Sequence, residues 1–117
     1  MKLSSHVLDT TAGTPAANVA IELYAVDRPE RGAARYERTW LGKSATDGDG
    51  RWIYPLLDGL ALGTYELTFD VAPYFRERNV ATLYDVIAIR FVIDDAERNY
   101  HIPLLLAPYG YSTYRGS

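Results

Sequence analysis

Apolar and polar residues alternate along much of this chain, and a period of two fits strands and little else. Residues 65–71 read Tyr-Glu-Leu-Thr-Phe-Asp-Val. Tyr65, Leu67, Phe69 and Val71 therefore share one face, with Glu66, Thr68 and Asp70 on the other. Val19, Ile21, Leu23 and Ala25 form a second such face, and Ile87, Ile89, Phe91 and Ile93 a third. Further strands are expected at 3–8, 35–43, 51–54, 100–107 and 111–115. Turn signals separate them: Ala-Gly-Thr-Pro-Ala at 12–16, Asp-Gly-Asp-Gly at 47–50, Leu-Asp-Gly-Leu at 57–60 and Pro-Tyr-Gly at 108–110. Asp-Gly supplies positive φ at low cost, so 47–50 is expected to be a hairpin turn. Only 73–81 reads as helix, with Pro73 suited to its first position. Segment 27–34 reads as a polar loop. Eight strands and one short helix predict an all-β antiparallel sandwich, a single domain over 1–117.

The rest of the composition removes whole classes of function. With no Cys among 117 residues, a disulfide scaffold, a thiol nucleophile and a cysteine zinc site are excluded. Twelve Lys and Arg against fifteen Asp and Glu give a charge of −3, the wrong sign for gripping nucleic-acid phosphates. No apolar run approaches the ~20 residues of a membrane span. The N-terminal Met-Lys-Leu-Ser-Ser-His lacks a signal-peptide core, so a cytoplasmic protein is expected.

Few residues can carry chemistry. The two histidines, His6 and His101, both fall inside expected strands. Alternation turns His6 away from Leu3 and Val7, and His101 away from Ile102, Leu104 and Leu106, so both imidazoles should leave the core. Imidazole exchanges protons near neutral pH, although a strand histidine is often just a surface residue. Arg51 follows the 47–50 turn. Its fork of donors suits a planar anion or an oxyanion, and solvation alone would also explain it. The tail, Tyr-Gly-Tyr-Ser-Thr-Tyr-Arg-Gly-Ser at 109–117, is too β-prone and aromatic to read as a frayed end. Asp47-Gly-Asp49-Gly lacks the further ligands of a calcium loop, and two histidines without a nearby His/Asp/Glu repeat make no convincing metal site. No metal site is expected.

Together these features resemble one family. Leu3-Ser4-Ser5-His6-Val7-Leu8-Asp9, followed by Gly13 and Pro15-Ala16, is similar to the opening signature of the 5-hydroxyisourate hydrolases, the transthyretin-related proteins. Ser5 stands where that signature usually has Thr. Asp49-Gly50-Arg51 matches the family's central turn. Tyr100-His101-Ile102-Pro103-Leu104 through Tyr114-Arg115-Gly116-Ser117 matches its closing signature, and the final Tyr-Arg-Gly-Ser separates hydrolases from hormone carriers.

The resemblance implies a transthyretin-like sandwich of two four-stranded sheets with one short helix. It implies a homotetramer, a dimer of dimers, with active sites where the dimers meet. The implied reaction is hydrolysis of 5-hydroxyisourate to 2-oxo-4-hydroxy-4-carboxy-5-ureidoimidazoline on the route from urate to allantoin, without cofactor. The implied site is His6, Arg51, His101 and Ser117 for catalysis, with His6, Arg51 and Tyr114 contacting substrate. His101 is the favoured general base, and either histidine suits the role. Two other readings compete: a carrier of a small aromatic ligand on the same fold, and an adhesive β-sandwich module.

Overall fold

The computed structural model describes residues 1–27, 36–54 and 60–117. Most of the 27–34 loop and the 57–59 part of the expected turn lie outside the described residues. The elements are β1 (Leu3–Asp9), β2 (Thr14–Pro15), β3 (Ala20–Asp27), β4 (Glu37–Ala45), β5 (Arg51–Ile53), β6 (Gly63–Asp70), α1 (Ala72–Glu77), β7 (Val86–Ile93), β8 (Tyr100–His101), β9 (Leu104–Ala107) and β10 (Gly110–Thr113). They form two sheets, as the alternation predicts. One is four-stranded in the order β4-β3-β6-β7, antiparallel throughout.

The second sheet has β1 at its centre and six named strands. They lie in four ribbons. On one side of β1, β8 and β9 keep a single register, Leu3 opposite Tyr100 and Val7 opposite Leu104. They are one strand interrupted at Ile102-Pro103, where proline has no N–H to give the ladder. On the other side, β5 covers Ser4–His6 and β2 covers Leu8–Asp9. The fourth ribbon, β10, pairs with β9. The sandwich is antiparallel as expected except at one place, where β1 runs parallel to β8 and β9. Parallel neighbours require a long crossover, and nearly the whole chain separates these strands.

The 47–50 turn is also not a hairpin. β4 belongs to the four-stranded sheet and β5 pairs with β1, so the turn carries the chain between layers. The Asp47 carboxylate accepts from the backbone N–H groups of Asp49 and Arg51, which closes the turn tightly. Gly50 has φ +74° and packs against the Val7 carbonyl, leaving no room for a Cβ. Its own carbonyl accepts from the Val7 N–H at 2.8 Å. Glycine is required there on both counts.

Between the layers lie Leu3, Val7, Ile21, Leu23, Leu67, Phe69, Ile87, Ile93, Leu104 and Leu106, all buried. The helix is shorter than the expected 73–81: it ends at Arg78, and Asn79 takes the left-handed conformation (φ 55°) that stops it. No helix among the described residues is long and apolar enough to cross a membrane.

Candidate functional site

Strand β1 alternates strictly, with Leu3, Ser5, Val7 and Asp9 buried and Ser4, His6 and Leu8 turned outward and only partly covered. Its neighbours obey the same rule. Trp52 and Tyr100 are buried, whereas Arg51, Ile53 and His101 face outward. Register then brings the outward residues together. His6 lies opposite Arg51 on β5, and Ser4 lies between Ile53 on β5 and His101 on β8. Residues far apart in sequence thus share one patch of sheet surface.

A cleft of about 270 Å³ opens on this patch, with Lys2, Ser4, Arg51, Ile53, His101 and Ser117 among its walls. Among the described residues no acidic side chain lines it. Arg51 makes no ion pair among the described residues. Burial is the main force holding His101 below the usual histidine range, and the positive charges of Arg51 and Lys2 add to it. The ring is therefore neutral at pH 7 and able to accept a proton.

Each imidazole is held by one nitrogen. Nε2 of His6 lies 2.7 Å from the Asp49 carbonyl oxygen. A carbonyl only accepts, so Nε2 carries the proton, and in the neutral ring the lone pair is on Nδ1. Nδ1 of His101 lies 2.8 Å from Ser4 Oγ, leaving Nε2 without a hydrogen-bond partner among the described residues.

The tail folds back onto His101. Gly116 forms a β-bridge with it, donating its N–H to the His101 carbonyl at 2.8 Å. A Cβ on Gly116 would collide with the imidazole at Cδ2 and press on Cγ and Cβ. Thr113 Oγ1 donates to the Pro103 carbonyl at 2.7 Å, and the Arg115 guanidinium lies 4.9 Å from the centre of the Tyr100 ring. These contacts deliver Ser117 to the cleft wall.

Of the residues expected from sequence, Arg51, His101 and Ser117 line one cleft, and His6 stands beside it, opposite Arg51. Tyr114 does not join them. It is 56% exposed and lines a separate groove with β7 residues such as Phe91 and Val92, which meets the site only at His101. Sequence reasoning passed over Lys2 and Ser4. Ser4 was within reach, since it sits two residues before His6 on the same strand and must share its face.

The model of the HIUase/Transthyretin family matches residues 3–116. The chain belongs to that family. A 5-hydroxyisourate hydrolase of Halalkalibacterium halodurans is 47% identical over 122 residues, covering 99% of this chain and 98% of that protein. The solved structure of Klebsiella pneumoniae 5-hydroxyisourate hydrolase has a TM-score of 0.78 at 33% identity, over 99% of this chain and 93% of that one. Sea bream transthyretin in complex with thyroxine has a TM-score of 0.82 at 25% identity, over 97% and 93% of the two chains. The HIUase/Transthyretin fold therefore spans both hydrolases and a hormone-bound protein, and the residues of the site must distinguish them.

Proposed function

We propose that this chain is a cytoplasmic 5-hydroxyisourate hydrolase, acting as one domain over 1–117. The observation that carries the reading is the convergence of Arg51, His101 and Ser117 on one cleft in which no acidic side chain of the described residues takes part, with His6 alongside. An apolar carrier pocket has no use for an unpaired guanidinium or a neutral, half-buried imidazole. A planar, carbonyl-rich anion uses both.

The chemistry follows from the groups present. Nε2 of His101 takes a proton from water as the water oxygen attacks the ring carbonyl carbon. The carbonyl π electrons move to oxygen, and the Arg51 guanidinium stabilises that oxyanion. The oxyanion collapses, the C–N bond breaks, and the leaving nitrogen takes up the proton from the imidazolium. His6, fixed through Nε2, orients the substrate. Ser117 closes the cleft from the tail through hydrogen bonds. A general base gives about 10²–10⁴-fold and an oxyanion donor a further ~10²–10³-fold, enough for a reaction that also runs unaided.

The same reading assembles a homotetramer, a dimer of dimers, with the cleft at the dimer–dimer interface. Support comes from apolar surface left open: Ile53 on the cleft wall is 50% exposed, and away from the cleft Leu83 is 71% and Tyr109 69% exposed. In a second copy's cleft, or against it, Tyr114 reaches substrate as its own chain's cleft does not allow. Strands β7 and β10, at the sheet edges, pair with the same strands of another copy to build each dimer.

A coupled assay tests the activity. Urate oxidase generates the substrate, and its ultraviolet absorbance is followed with and without this protein. Acceleration well above the spontaneous decay is the expected result; equal decay rejects the reading. Sedimentation should give four times the chain mass, and a monomer at assay concentration would reject the interface.

A further inference from the structure

We infer that Ser4 is a positioning residue for His101, setting the tautomer that leaves Nε2 free to act as the base. This rests on the hydrolase reading above. Ser4 and His101 are register partners on the parallel β1–β8 pair, both turned outward, so backbone pairing alone brings hydroxyl and ring together. The Oγ–Nδ1 distance is 2.8 Å, and the pair is partly buried.

The other side of the ring is held as firmly. Gly116 packs on Cδ2 with no space to spare, and its N–H holds the His101 carbonyl. Rotation of the imidazole would lose the Ser4 hydrogen bond and strike the tail. A serine hydroxyl both donates and accepts, so the 2.8 Å contact suits either direction; a ring that takes its proton at Nε2 requires the Ser4 oxygen to accept from Nδ1–H. After Nε2 takes a proton from water, both nitrogens carry hydrogen and the same bond to Ser4 still holds, so nothing has to reorganise.

A hydroxyl rather than a carboxylate in this place has a consequence. A carboxylate against Nδ1 also selects this tautomer, and it pulls the ring toward the imidazolium. Ser4 can accept from Nδ1–H without adding charge, which suits a base that must be neutral beside Arg51 and Lys2.

The test compares wild type, Ser4→Ala and Ser4→Thr as full-length proteins. Long-range proton–nitrogen correlation of ¹⁵N-labelled histidine, at a pH above the His101 titration, reports which ring nitrogen is protonated. Wild type and Ser4→Thr should show the proton of His101 on Nδ1, and Ser4→Ala should shift it toward Nε2. Turnover should fall about tenfold in Ser4→Ala with KM changed less than twofold, and Ser4→Thr should recover most of it. A wild-type ring protonated on Nε2, or an unchanged tautomer in Ser4→Ala, overturns the inference even if activity falls. The tautomer signature is independent of turnover. If it behaves as expected in a protein that does not open 5-hydroxyisourate, the hydrolase reading fails and the tautomer assignment stands.

Discussion

The outer faces of the two sheets use the same kinds of residue to opposite ends. On the four-stranded sheet Glu66 is almost fully buried, and Arg38 on β4, reaching across β3, and Arg90 on the adjacent β7 close on it at 2.7 and 3.1 Å. Arg38 also stacks on the Tyr24 ring and Arg90 on that of Tyr36. Charge there is compensated within the chain. On the β1 face, Arg51, Lys2 and His101 meet, with His6 alongside and no acidic side chain of the described residues in the cleft wall. An outward strand arginine is thus a structural residue where a carboxylate meets it, and a binding group where the fold withholds one.

Substitutions on the two faces should therefore separate activity from stability. His101→Asn removes the proposed base and should lower turnover by about 10²–10⁴-fold, with Tm close to wild type. Arg51→Ala should lower kcat/KM by about 10²–10³-fold, again with little change in Tm, because its side chain is exposed and unpaired. Wild-type rates in either variant would remove that residue from the chemistry.

Smaller effects sharpen the comparison. Gly116→Ala forces the tail off His101 and should cost about tenfold in turnover, with Ser117 displaced from the cleft in a crystal structure of the variant. The base must be neutral, and His101 titrates below its ordinary value, so kcat/KM should stay level through neutral pH and fall only below about pH 6.5. Protonation removes the base, so the rate falls as pH falls. A profile already declining at pH 7.5 would contradict the assignment. Glu66→Gln should leave turnover within twofold and lower stability by about 1–2 kcal/mol, read by urea titration. The cost stays modest because Arg38 and Arg90 are 44% and 37% exposed and can turn to water.

Much of this was legible in the sequence, because local alternation fixes which way a side chain points. His6 and His101 leave the core as their strands require, and Tyr65, Leu67, Phe69 and Val71 are all buried. What alternation does not encode is pairing between distant strands. The parallel β1–β8 and β1–β9 contacts and the passage of the 47–50 turn between layers depend on long-range register. Glu66 and Thr68 read as outward and are outward, yet both are buried, because Arg38, Arg90 and neighbouring side chains cover them. Ser4 escaped notice for a related reason. A serine gains a role only from its partner, and that partner lies 97 residues away. Tyr114 went the other way, named in a motif with its neighbours but placed by the fold in a different groove.

The central claim is that the cation-lined cleft on the β1 face receives the substrate. A crystal structure of the assembled protein with urate, a stable planar relative of 5-hydroxyisourate, tests it directly. The account predicts urate oxygens within hydrogen-bond distance of the Arg51 guanidinium and of Nε2 of His101. Urate seated instead in the groove between β7 and Tyr114, or on the Arg38–Glu66–Arg90 face, with the cleft unoccupied, would contradict it.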